Sequence, residues 1–316
     1  MKKARIFKTL ILCASLTFLA GAIIIFPERY IKSCFQGFAM WAECVLPSLF
    51  PFMVITLIFI KTGIARRAAL PLKKVTGVFG LPPAAAVCFI ISICSGYPAG
   101  SKAVAEFYDG GCISAKDCKK LSAICSTSGP LFIIGSVGVK MFGDKFAGWK
   151  ILLVHTVAVL SVGLILSLFS KKGEKSEFKR APVDDNVLYN SFFGAVVSVA
   201  VAGGFIAFFC VAAQIIADFD LLYPLEKLLC LFTDEGAAKA VCRGIIEATA
   251  GCRELSETSA KLALPFAGFL ITFGGISILL QQLSYLTKAK VSALYFIAVK
   301  LVQGLICFFI LLAICA

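Results

Sequence analysis

An apolar run in the first third of this chain, Ile90-Ile91-Ser92-Ile93-Cys94, stops in the polar, helix-breaking string Ser95-Gly96-Tyr97-Pro98-Ala99-Gly100-Ser101-Lys102. A related string returns in the second half as Ile245-Ile246-Glu247-Ala248-Thr249-Ala250-Gly251, so Ile-Ile-x-x-x-x-Gly occurs in both halves. Backbone broken at membrane depth leaves N–H and C=O groups that hydrocarbon cannot satisfy, so it survives only where protein or a water-filled cavity surrounds it. Paired interruptions in the two halves of a chain point to a transporter's binding site.

That argument requires the runs to lie in a bilayer, and composition places them there. Apolar residues make up 59% of the chain and charged residues only 16%, with a mean hydropathy of +0.94. Soluble domains carry roughly 25% charged residues. Several stretches approach the ~20 apolar residues that a spanning helix needs. The chain therefore reads as an all-α polytopic membrane protein, a single membrane domain over 1–316 with the lipid bilayer as its solvent. Its start has a basic end and an apolar stretch, like a signal peptide. The stretch is too long for one, and Phe26-Pro27-Glu28-Arg29 offers no small-residue cleavage site. An extra, retained helix over 6–26 is expected. The fourteen cysteines are scattered, many of them inside apolar runs, where free Cys acts as a small hydrophobe. Neither a disulfide framework, a metal site nor a cofactor is expected. The excess of basic residues sits in short loops rather than on one face, which argues against nucleic acid as a partner.

Apolar runs between charged breaks place spanning helices near 6–26, 37–60, 120–140, 148–170, 190–217, 262–286 and 291–315, about seven in all. Two interrupted segments, 75–109 and 222–258, fit re-entrant helical hairpins. With a cytoplasmic N-terminus, the inside loops hold about twice the Lys and Arg of the outside loops, as the positive-inside rule requires. Span, hairpin, span, span then occurs twice with opposite orientation. The first repeat covers 37–170, a polar cytoplasmic linker covers 171–186, and the second, inverted repeat covers 187–316. Such inverted repeats put substrate near the bilayer midplane, between the repeats.

Each hairpin is followed by a second broken element. In the first half it is Ser126-Thr127-Ser128-Gly129-Pro130, where Pro after Ser and Gly is a helix-start signal inside a span. In the second half it is Thr272-Phe273-Gly274-Gly275-Ile276-Ser277, followed by Gln281 and Gln282. A half-helix starting there presents unpaired N–H groups and the positive end of its dipole, which suits a carboxylate or phosphate. A kink with tight helix packing is the plainer alternative. The candidate substrate-binding set is Gly96, Tyr97, Pro98, Ser101, Lys102, Ser126, Thr127, Ser128, Gly129, Glu247, Thr249, Thr272, Gly274 and Gln281. Lys102 fits either a substrate role or an i,i+4 salt bridge to Glu106. Glu247 fits a coupling site for H+ or Na+, or a partner for Arg243. His155, within a span, fits a proton relay or an interhelical hydrogen bond. Leu46-Pro47-Ser48-Leu49-Phe50-Pro51-Phe52 puts two prolines inside a span and should kink it.

Three strings carry a family resemblance: Leu46 to Phe52, Gly96 to Lys102, and Ser128-Gly129-Pro130-Leu131-Phe132-Ile133-Ile134-Gly135. From about residue 30 onward the chain resembles the YlbJ (stage V sporulation protein V) family of sporulation membrane proteins, in the nucleoside-recognition (Gate) group. The resemblance implies an endospore former and a transporter similar to concentrative nucleoside carriers. It further implies export of dipicolinate, a pyridine dicarboxylate, from the mother cell toward the forespore, with the protein in the outer forespore membrane. It carries the Gly96–Lys102 and Ser126–Pro130 strings over as site elements. The partner so implied is a small anionic solute. Nucleosides are the runner-up substrate, and a non-transporting Gate scaffold of spore maturation is the alternative of a different class. An intramembrane enzyme is the weakest reading, since no Gly-x-Ser-x-Gly elbow or His-Glu-x-x-His occurs. Oligomeric state stays open, a homo-oligomer included.

Overall fold

The computed structural model describes residues 2–64, 67, 70–169 and 186–315, and every regular element among them is helical. Residues 171–185 of the expected linker lie outside the described residues. The first half runs α1 (Lys2–Ile25), α2 (Pro27–Met40), a π turn (Trp41–Val45), α3 (Leu46–Lys61) and α4 (Lys73–Val78). It continues with α5 (Ala85–Ser95), α6 (Ala99–Asp109), α7 (Ala115–Ile124), the π-helical α8 (Phe132–Met141) and α9 (Lys145–Leu168). The second half contains α10 (Val187–Asp218), α11 (Tyr223–Leu229), α12 (Glu235–Ile246) and α13 (Ala248–Ser256). It ends with α14 (Ala263–Phe273), α15 (Gly275–Leu286) and α16 (Ala293–Cys315).

Five stretches among the described residues are long and apolar enough to cross a membrane: Pro27–Lys61, Lys145–Leu168, Val187–Asp218, Ala263–Leu286 and Ala293–Cys315. Two of the expected spans differ. The 6–26 segment contributes the shorter apolar helix Thr9–Ile25. The 120–140 segment is divided into α7 and α8 by non-helical residues 125–129. The cause lies in the string itself: Ser, Thr and Gly compete poorly for helix, and Pro130 cannot continue α7 because it lacks an N–H. Pro130 is instead the first helical residue after the break, as its fixed φ favours.

The kink anticipated at Leu46–Phe52 takes the form of a π turn just before Pro47. Pro47 cannot donate to the Glu43 carbonyl, and Lys140 Nζ of α8 takes that carbonyl at 3.2 Å. Ser136 Oγ donates to the neighbouring Cys44 carbonyl at 2.5 Å. The backbone groups released by the π turn thus tie the first span to α8. Small residues bring the long helices together: a Cβ on Gly37 would lie 2.6 Å from Ala207 Cα, and one on Gly138 would lie 2.6 Å from Gly148 Cα. Close approach through small residues is how helices associate where lipid removes the hydrophobic drive.

Two series of elements share one order. A helical pair (α5–α6), a helix broken near its middle (α7–α8) and a long helix (α9) recur as α12–α13, α14–α15 and α16. Their packing is reciprocal. α6 packs on α15 and α13 on α8, while α9 packs on α14 and α16 on α7. The buried core runs through all of these elements, and the large exposed apolar side chains lie on the outer faces of the long helices.

Candidate functional site

Four interruptions of helical backbone meet at the centre of the molecule. The first separates α5 from α6 at Gly96, whose φ is +69°, followed by a cis Tyr97–Pro98 peptide. A Cβ at Gly96 would stand 2.5 Å from Gly129 N, so the turn rests directly on the break between α7 and α8. Hydroxyls stitch the two together. Ser92 Oγ lies 2.7 Å from Thr127 Oγ1, and Thr127 Oγ1 is 2.9 Å from the Ser92 carbonyl. Ser95 Oγ donates to Thr56 Oγ1 on α3 at 2.6 Å.

The second half repeats this seating with different residues. Glu247 is extended between α12 and α13, and its carboxylate caps α13 by accepting from Ala250 N at 2.7 Å. Gly274 (φ +96°) and Gly275 (φ +64°) break α14 from α15. A Cβ at Gly275 would meet Gly244 O at 2.8 Å and Ala248 N at 3.1 Å, so this hairpin also rests on the break that follows it. Only glycine enters these positive-φ positions without strain.

A cavity of about 30 Å³ lies where the four interruptions converge. Five of the sequence-nominated residues line it: Tyr97, Ser128, Gly129, Thr249 and Gln281. Phe132, Ile278, Ala202 and Ile206 complete much of the apolar wall. Few placed polar groups in an apolar surround are the usual make-up of a small-molecule site. Tyr97 also spans the halves, its hydroxyl donating to the Ile271 carbonyl at 3.1 Å.

The other nominated residues surround the cavity. Ser101 and Ser126 both donate to Gln282 Oε1, at 2.9 and 2.5 Å. Thr127 is engaged by Ser92. Thr272 Oγ1 lies 2.9 Å from His155 Nδ1. Glu247 is fully buried, and its second carboxylate oxygen has no hydrogen-bond partner among the described residues. Arg243 pairs with Glu254 at 2.8 Å rather than with Glu247, and it also bonds the Gln214 side chain. Lys102 and Pro98 line a separate cavity of about 30 Å³ with Ser95, Glu106 and Tyr285. The Lys102 side chain is 32% exposed and sits 4.0 Å from Glu106, the i,i+4 pair. The larger cavities, about 260 and 390 Å³, lie on the α12–α13 side and share Arg243 and Glu254.

Sequence reasoning noted Gln282 and the intramembrane Lys300 without giving either a role in this polar centre, and it passed over Gln303. Lys300 Nζ donates to the Ser126 carbonyl at 2.7 Å, and Gln303 Nε2 donates to the Ala123 carbonyl at 2.8 Å. The available signal was a Lys and a Gln three apart, hence on one face, inside an apolar helix.

Helices of spanning length, buried helix breaks and a polar centre enclosed by apolar walls define a multi-pass, all-helical integral membrane protein. Comparison with known proteins agrees. The chain is a homologue of the sporulation integral membrane protein YlbJ of Bacillus subtilis (strain 168), 25% identical over 331 residues, covering 94% of this chain and 80% of the relative. No family model matches the chain, and no solved structure does.

Proposed function

We propose that the protein is a secondary transporter that carries a small organic anion through the central cavity between two inverted repeats, each with a re-entrant hairpin. Dipicolinate is the substrate we favour, moved from mother cell toward forespore during sporulation. One observation carries this reading: residues at or just beyond three helix breaks (Tyr97, Ser128–Gly129 and Thr249) and from the helix that follows the fourth (Ile278 and Gln281) line one cavity with hydroxyl, amide and aromatic groups. A packing kink has no need of that convergence, whereas a midplane site built from discontinuous helices does. The helices that begin at Pro130 and Gly275 start beside the breaks, and the positive end of a helix dipole is the polarity that favours a carboxylate. The recurrence of hairpin, broken helix and long helix, with reciprocal packing, supports the repeat. Relation to a sporulation membrane protein supports the setting.

A second reading has its own observation. Lys102 lines a different cavity, and among the described residues no Lys or Arg lines the central one, which suits a neutral ring-bearing solute such as a nucleoside. Thermal unfolding of the purified protein with each solute separates the two, because a ligand that binds only the folded state raises stability by mass action. At about a hundred times Kd the gain is about 2.7 kcal/mol. Dipicolinate is expected to raise the melting temperature and nucleosides to leave it unchanged; the reverse pattern favours the second reading.

A further inference from the structure

Two basic side chains hold matching places in the two series, and each crosses to the other half's break. His155 follows Thr127 at the same spacing at which Lys300 follows Thr272. His155 reaches Thr272, and Lys300 reaches Ser126. His155 Nε2 accepts from Ser128 N at 3.3 Å, so the ring proton sits on Nδ1 and is donated to Thr272 Oγ1, the pattern of a neutral imidazole. Lys300 is fully buried, and its bond to the Ser126 carbonyl is the one hydrogen bond it makes among the described residues. No ion pair among the described residues includes it.

A buried ammonium without a carboxylate is expensive, so its retention needs a reason. The reason lies in what it faces. α7 ends at Ile124; the Ala123 carbonyl belongs to the negative, under-bonded end of that half-helix, and the Ser126 carbonyl lies just beyond its cap in unwound backbone. Gln303, one turn beyond Lys300, takes the Ala123 carbonyl, while its own Oε1 is buried and unpartnered. Carbonyls at the C-terminal end of a broken helix are the groups that coordinate a coupling cation in transporters.

We propose that Lys300 is a tethered cation, its ammonium standing against the Ser126 carbonyl where a monovalent metal ion would otherwise sit. The break between α7 and α8 is then held without sodium, and only a proton can change the charge at this position. The inference deepens the transporter reading, because a coupling-cation position has meaning only there. Its test, however, reads stability with no substrate present.

The measurement is the melting temperature of the purified, detergent-solubilised protein in sodium chloride against choline chloride at equal ionic strength. The wild type is expected to melt at the same temperature in both. Lys300→Ala, and likewise Lys300→Gln, should expose the carbonyl cluster and gain about 5 °C or more in sodium, the shift that occupancy at about a hundred times Kd gives. Sodium stabilisation of the wild type overturns the proposal, as does a folded variant indifferent to sodium. Should neither variant fold, the wild-type comparison decides alone. Failure here leaves dipicolinate binding untouched, and failure to bind dipicolinate leaves this sodium comparison standing.

Discussion

Glu247 marks the position at which the two hairpins differ most in chemistry. The first turn is made by Gly96 through backbone freedom, whereas the second is made by a carboxylate that caps α13. Replacing Glu247 with Ala should remove the cap and cost about 1–2 kcal/mol, with Gln costing less; thermal unfolding of the two variants checks the order. Tyr97→Phe should cost about 1–3 kcal/mol in the same assay, because the Ile271 carbonyl is left buried without its donor. The polar residues of the centre were legible in the sequence as a set, but their individual duties were not. Gln281 and Gln282 are neighbours in sequence, yet helical geometry turns them to different faces. Gln281 lines the cavity, and Gln282 receives Ser101 and Ser126. Lys102 reads from sequence as a cation at a hairpin tip, but its first-turn position on α6 carries it to the second cavity beside Glu106. Nothing short of the packing of α6 on α15 could have shown this.

At the scale of elements, the breaks themselves are written plainly in the chain. Gly96, Ser126–Gly129, Glu247 and Gly274–Gly275 each interrupt helix, and each combines residues that favour caps or positive φ over helix interior. The contacts between breaks were not readable, because they join residues far apart in sequence. Gly275→Ala tests one such contact. Its Cβ would be strained by φ and would press on Gly244 O, so a loss of about 2 kcal/mol or more is expected. Gly204 on α10 is the control: a Cβ there meets nothing within 4 Å, and Ala should raise stability by about 0.4–1 kcal/mol. Equal effects of the two substitutions would remove the seating of hairpin on break from the account. The division of 120–140 into α7 and α8, and the π turn before Pro47, follow from proline's missing N–H.

The central cavity is small for the whole molecule. About 30 Å³ has room on the scale of a water molecule, well below the roughly 300 Å³ at which ligand pockets begin. On the proposed transporter reading, admission of a dicarboxylate would require the hairpins to part from the breaks they rest on. The cavity of about 390 Å³ on the α12–α13 side reaches inward as far as Cys210 and Ala250, beside the Glu247 cap. Class and rough architecture were available from hydropathy alone; the reciprocal packing of the two series was not, since it depends on which helix faces lie together. The paired strings around Gly96 and Gly251 pointed to a binding site, and the proposed function puts that site at the central cavity. Uptake of labelled dipicolinate by proteoliposomes tests it most directly. The account predicts saturable uptake above protein-free vesicles, reduced about tenfold or more by Gln281→Ala, the loss expected from about 1.4 kcal/mol of binding energy. Uptake no greater than that of protein-free vesicles, for dipicolinate and nucleosides alike, would contradict it.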